Sequence, residues 1–437
     1  MTSLIRITIT VILVTVAGIS HAAPPVDEVR RASDRPLPDA PVKVATADWP
    51  WWRGQAGDGE GRGDAPPVKW GKSENVAWSA AIPGRGHSSP IVWGTQVILT
   101  TAEEVEQRQS ILAFDRATGE RLWTTAAHTG GFLRKHGKNS HASATPACDG
   151  ERVYAAFMNA GDLWMTATDL GGKILWQEKA GPYRSEHGYG SSPILYKSLL
   201  IVAGDDAASG YVTAMDRSTG KIAWRTARET PGRHANYATP AIVTLAGKPQ
   251  LVLVGLGVVA SYDPDTGKPI WHCKGPAEVA ACTPAFSDTM IFASAGFPEK
   301  EILAIKADGS GDVSESHIVW RSKRNVTYVP SPLYHDGDLY VVTDSGIVAC
   351  LDAATGKEKW QDRLRGAFSA SPVLAAGRLY IPNEAGRCFV FNAAPKFELL
   401  SENDLGDGGF ASPVICGGRI YLRTEHHLYC IGTKAKP

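Results

Sequence analysis

Eight Ser/Thr-Pro pairs followed by apolar residues recur along this 437-residue chain, and the residues just upstream of them are those whose types could do chemistry. In chain order they are His87; His136 and His141; His187 with Tyr189; His234 with Asn236 and Tyr237; Glu278; Tyr328; Phe368; and Phe410. Five of the twelve histidines thus fall in four successive loops, where Arg85, Arg184, Arg233, Arg324 and Arg365 also recur. An imidazole- and guanidinium-rich side facing an aromatic side suits a planar or anionic ligand. Several of these histidines together would suit a metal ion. Loops of this kind are also polar by default, each His satisfied locally. The three readings stay open, because the facing of each side chain depends on strand parity.

A catalytic set is harder to assemble. Asp205-Asp206 is the obvious carboxylate pair, but the Gly-rich loop at 204–210 reads as a solvated turn. Glu278 is the best-placed acid near the loops, and it stands alone there. Asp58, Glu60 and Asp64 in a Gly-rich stretch lack the remaining ligands of an EF-hand. No G-x-S-x-G, H-E-x-x-H or phosphate-loop motif is present. The reading therefore assigns no catalytic residue and no metal ligand, and leans away from an enzyme.

The elements that must position these loops are set by a repeat. The Ser/Thr-Pro prolines are Pro90, Pro146, Pro193, Pro240, Pro284, Pro332, Pro372 and Pro413, with steps of 56, 47, 47, 44, 48, 40 and 41 residues. Each step fits four short strands with turns, one propeller blade. About thirty residues after most of these prolines comes a second signature: AFDRATGERLW at 113–123, AMDRSTGKIAW at 214–224, SYDPDTGKPIW at 261–271 and CLDAATGKEKW at 350–360. Its Asp can cap the turn, its Gly supplies a positive φ, and its Trp lands on the outermost strand, where the ring can join neighbouring blades. Blade two has a shortened form ending at Trp176, and blade five a longer insertion before Trp320. Blade seven has Asn392 for the Asp and Leu399 or Leu400 for the Trp. In the sixth repeat, strands are expected at 332–335, 339–343, 347–352 and 358–363. The last repeat stops after its third strand, at 429–431. Its missing fourth strand is expected at 75–80, carrying Trp78, which shuts the ring and removes the exposed edges. The fold class is therefore all-β: an eight-bladed β-propeller closed by an N-terminal strand completing the last blade.

The A-x-D-x-x-T-G-x-x-x-W signature with its Ser/Thr-Pro strands resembles the pyrroloquinoline-quinone (PQQ)-like quinoprotein repeat, over about residues 49–432. That resemblance implies the propeller, and two kinds of function. Some members are PQQ-dependent dehydrogenases; another is the non-catalytic propeller lipoprotein of outer-membrane assembly. Trp49-Pro50-Trp51-Trp52-Arg53-Gly54 also resembles the start of exported bacterial propellers, and reads as packing that segment against the blades. PQQ is the cofactor the resemblance implies; in such enzymes it commonly sits by a vicinal disulfide, calcium ligands and a catalytic Asp. Here no two of the seven cysteines are adjacent.

Composition bounds the partners. Lys+Arg and Asp+Glu are each 45, which gives no support for nucleic-acid binding. Arg6, the apolar run 7–17 and Ser20-His21-Ala22 read as a signal peptide over 1–22, followed by a flexible linker at 23–47 and the propeller at 48–433. No later segment reads as a membrane span, so no stable membrane insertion is expected. Seven cysteines is odd, so at least one thiol stays unpaired within the chain, and Cys350 and Cys430 occupy small strand positions suited to a buried thiol. The expectation is a periplasmic or secreted binding or scaffold module, after cleavage near Ala22, engaging a protein or a small anionic or planar ligand at the funnel face. The alternative is a PQQ-dependent or related redox enzyme. The candidate funnel lining is His87, His141, His187, Tyr189, His234, Tyr237, Glu278 and Tyr328.

Overall fold

Turn chemistry and period-two alternation resolve into eight antiparallel four-stranded sheets, two of them extended by a fifth, parallel strand. The structure is a computed structural model that describes residues 40–228 and 234–433. The signal-peptide segment, most of the linker and Arg233 lie outside those residues. Blade six shows the plan: Leu333–His335, Asp338–Val342, Ile347–Asp352 and Glu358–Arg363 pair in chain order from the axis outward. These match the expected strands to within one residue at each end.

The Ser/Thr-Pro pair has a physical role beyond marking the period. Its hydroxyl accepts a backbone N–H from the preceding blade. Ser89 donates to Thr145 Oγ1 (3.0 Å), Thr145 to Ser192 Oγ (2.9 Å) and Ser192 to Thr239 Oγ1 (2.9 Å). Thr283 donates to Ser331 Oγ (3.0 Å), Ser331 to Ser371 Oγ (2.9 Å) and Ser371 to Ser412 Oγ (2.8 Å). Across the closing seam, Ser89 Oγ donates to the Ser412 carbonyl at 3.0 Å. Buried hydroxyls so linked cost little desolvation and tie the inner strands into a belt.

At the periphery, six outer-strand Trp bridge to the next blade. Trp78, Trp123, Trp176, Trp224, Trp320 and Trp360 donate their indole N–H to backbone carbonyls of the following blade at 2.9–3.2 Å. The ring lies over the turn glycine of that blade: at Gly267, φ is +72°, and a Cβ would run into Trp224. The turn Asp acts as expected, Asp115 Oδ1 accepting the amides of Ala117 and Thr118 at 2.9 and 2.8 Å. Blade five lacks this turn, so Trp271 donates within its own blade to Gln250 Oε1 (2.9 Å). The insertion of blade five instead lays Gly311–Asp312 against the outer strand of blade four. Blade seven, without a Trp of its own, borrows Trp70: its ring lies 6.4 Å from Tyr380, as Trp78 lies 6.2 Å from Tyr421.

The eighth blade closes as expected. Val76–Ala81 pairs antiparallel with His427–Ile431, Trp78 opposite Cys430 and Ser79 opposite Tyr429. The apolar cores lie between blades: Ile91, Ile98 and Ala113 of blade one, for example, pack with Cys148, Val153 and Phe157 of blade two. All seven cysteines are free and buried.

Candidate functional site

The segment just before the closing strand runs through the axial channel. Trp49 exchanges backbone hydrogen bonds with Val92 of blade one at 2.8 and 2.9 Å, and the Pro50 carbonyl accepts the Cys148 amide of blade two (2.9 Å). Trp52 Nε1 donates to Thr283 Oγ1 of blade five (2.8 Å), Arg53 Nη2 to the Pro332 carbonyl of blade six (3.1 Å), and Glu60–Gly61 pairs parallel with the inner strand of blade seven. Gly61 is required by close approach: a Cβ there would lie 2.6 Å from the Ile415 carbonyl oxygen of blade eight. The segment thus floors the channel, leaving a smaller cavity of about 140 Å³ on the far side of Trp52. What remains above is a blind funnel, not a pore.

The funnel has a volume of about 500 Å³, within the range of small-molecule sites. Trp52 forms its floor and the hydroxyl belt its waist. Around the mouth, His87, His136 and His187 come from the loops leading into blades one to three, and Tyr237, Tyr328, Phe368 and Phe410 from blades four, six, seven and eight. The rings are organised: His87 lies tilted against Phe410 with centroids 4.4 Å apart, His136 stacks on His187 at 5.4 Å, and His187 meets Tyr237 edge-on at 6.1 Å. Burial lowers the His87 pKa well below its ordinary value, and the charges of Arg423, Arg85 and Lys135 push the same way, so the ring is neutral at pH 7. Burial likewise raises Tyr237, and pushes Tyr328 up to about 12.

Of the eight candidate lining residues, the structure brings together His87, His187, Tyr237 and Tyr328. The other four lie elsewhere. His141 stacks on Phe132 at 3.9 Å, with its Nε2 3.6 Å from Glu104, behind the wall. Tyr189 is buried between blades two and three, donating to the Ala203 carbonyl at 3.0 Å. His234 and Glu278 pair on the outer rim (Nδ1 to Oε1, 2.8 Å). These residues lie in irregular loops that differ from blade to blade, so distance from the Ser/Thr-Pro pair does not fix their facing: Tyr189 and Tyr328 each stand four residues before their Pro, and only Tyr328 lines the funnel. The carboxylate pair also needs correction: Asp205 and Asp206 are buried, not solvated, at 3% and 5% exposure. Asp205 is held by Arg228 Nε at 2.9 Å, while Asp206 caps the turn by accepting the amides of Ala208 and Ser209.

Sequence reasoning missed four residues that line the funnel: Trp52, Lys138, Asp344 and Glu384. Lys138, on the long loop before blade two, reaches both oxygens of Glu384 at 3.1 and 2.9 Å. Ser369 Oγ donates to Glu384 Oε1 (2.7 Å), and Asp344 accepts the amides of Tyr328 (3.1 Å) and Val329 (3.2 Å). Asp344 and Glu384 sit in turns between second and third strands. In a four-stranded antiparallel blade those turns emerge at the same end as the loops leading to the next inner strand, and that signal was available.

The residues do not fit a calcium-bound quinone with a free base. Among the described residues, Glu384 is paired with Lys138, Asp344 is a single carboxylate without a second acid beside it, no two cysteines adjoin, and no metal-holding group of three or more His, Cys, Asp or Glu occurs. Asp58 is taken by Arg62 at 2.7 Å.

Comparison with known proteins follows the fold. A curated relative from Legionella pneumophila (strain Paris), "Outer membrane protein assembly factor BamB", is 25% identical over 44% of this chain and 52% of its own length, so the match spans about half of it. The protein of that name from Yersinia pestis is 22% identical over 82% of this chain and 89% of its own. Among solved structures, BamB from Moraxella catarrhalis superposes with a TM-score of 0.60 at 14% identity, covering 82% of this chain and 99% of that one. The quinohemoprotein alcohol dehydrogenase from Comamonas testosteroni gives 0.63 at 15%, covering 90% and 82%. At such identities the structural likeness is one of fold alone. The family model described as "Outer membrane protein assembly factor BamB" matches residues 68–188, 208–312 and 299–395, most of the chain. By that match the chain belongs to this family of PQQ-like β-propellers.

Proposed function

We propose that this chain is an exported, non-catalytic binding scaffold of the cell envelope, which engages a protein or a small planar or anionic ligand through the funnel face. The observation that carries the reading is the floored funnel itself, walled by imidazoles and aromatic rings, while its carboxylates are held by Lys138, Ser369 and backbone amides. Such a surface binds by shape, stacking and charge. Membership of the BamB-described family supports a scaffold role, and the names of the Legionella and Yersinia relatives support an envelope location. The N-terminal sequence pattern supports a periplasmic or secreted product cleaved near Ala22. Among the described residues, no helix is long and apolar enough to cross a membrane.

The test is turnover. Purified chain supplied with PQQ, calcium and an alcohol or aldose is expected to reduce an artificial electron acceptor no faster than a protein-free blank. Acceptor reduction that depends on the chain and saturates with quinone would overturn the scaffold reading in favour of a quinoprotein enzyme.

A further inference from the structure

The funnel has two electrostatic poles. Its imidazoles belong to blades one to three and its carboxylates to blades six and seven, so in an eight-membered ring they face one another across the axis. The imidazole pole is backed by cation. Arg423 is buried beside His87, in contact with the flanking Gly86 and Ser88, and its Nε and Nη2 have no partner among the described residues. Desolvation alone pulls its pKa down to about 9, which leaves it charged at pH 7. No acid among the described residues pairs with it, so its field reaches His87, and Arg85 and Lys135 add to it. Among the described residues, the imidazole rings of His87 and His187 make only ring contacts, leaving their nitrogens for a ligand.

The opposite pole is acidic and aromatic. Glu384 is neutralised by Lys138, but Asp344 has only the amides of Tyr328 and Val329 as partners and no salt bridge among the described residues. Tyr328 and Phe368 flank it in the same wall. A carboxylate beside aromatic rings is the chemistry that holds an ammonium group.

Resting on the funnel-binding reading above, we propose that the ligand is dipolar: an aromatic amino compound of the zwitterionic amino-acid class. Its ammonium group meets Asp344, its carboxylate meets the His87 and His187 imidazoles, and its ring lies over Trp52. A purely anionic ligand would gain at one pole and suffer repulsion from Asp344 at the other.

Calorimetric titration of the full chain with three probes of one ring size tests this: L-phenylalanine, phenethylamine, which lacks the carboxylate, and 3-phenylpropionate, which lacks the ammonium. L-Phenylalanine is expected to bind about tenfold or more tighter than either, the effect of one charge-assisted contact. Asp344→Asn should weaken phenylalanine and phenethylamine while sparing phenylpropionate. His87→Gln, on the other wall of the same funnel, should weaken phenylalanine and phenylpropionate while sparing phenethylamine. Thermal melts check that each variant is folded. Phenylpropionate binding as tightly as phenylalanine, lost in His87→Gln, would sink the dipolar assignment and leave the funnel reading standing. Binding of none of the three would overturn the dipolar assignment as well, and quinone-dependent turnover would separately overturn the scaffold reading.

Discussion

His128 shows what a single misfit residue does to stability. Its ring is edged by Phe157 and Trp164, its Nε2 is buried without a partner among the described residues, and burial holds its pKa at about 4, down from 6.5. A folded-state pKa below the unfolded value means that the unfolded chain takes up the proton first. Stability is therefore whole above about pH 6.5, falls as the pH drops toward 4, and changes no further below that through this group. His128→Leu is expected to flatten part of that loss, read as the difference between variant and wild-type urea midpoints at pH 7 and pH 4.5. Equal losses in both proteins would refute the assignment. The same scale governs what could be read of the site from residues alone. His87, His187, Tyr237 and Tyr328 were legible because each stands before a Ser/Thr-Pro pair. His141 and Tyr189 share that position but face away, because these loops are irregular and each takes its own path, so that Tyr189 packs into the core of blades two and three while Tyr328, at the same distance from its Pro, lines the funnel.

The tryptophan-bearing outer strands explain why the blades were legible and blade seven was only partly so. Asp-x-x-Thr-Gly and Trp are local in sequence, and each makes its contact with the next repeat, so a period can be seen without knowing the fold. Trp70 belongs to no repeat. It reaches blade seven from three hundred residues away in sequence, which no local signature reveals. Its N–H has no acceptor among the described residues, whereas the Trp78 N–H donates to the Arg116 carbonyl at 3.0 Å. Trp78→Phe therefore loses a hydrogen bond as well as ring area and should cost about 1 kcal/mol more than Trp70→Phe. Chemical denaturation of the two variants measures the difference. A larger loss at Trp70 would mean that its indole N–H is in fact satisfied.

At the scale of the molecule, closure and flooring are what make a funnel out of a ring. The closing strand was legible because the last repeat lacks one and the stretch at 75–80 carries Trp78 where that strand's Trp is expected. The floor was not, because Trp52 and Arg53 act through inner strands of blades five and six, more than two hundred residues distant. Both devices depend on one short segment, Val76–Ala81, holding the N-terminal chain against blade eight. If that strand frayed, the belt would open between Ser89 and Ser412 and the floor would be free to leave. Native-state hydrogen exchange on peptides covering Val76–Ala81 measures this most directly. A shut ring predicts protection equal to that of the central strand Arg419–Arg423, both being lost together at the global unfolding free energy. Exchange of Val76–Ala81 through a separate opening of much lower free energy would contradict the closed propeller, and with it the funnel.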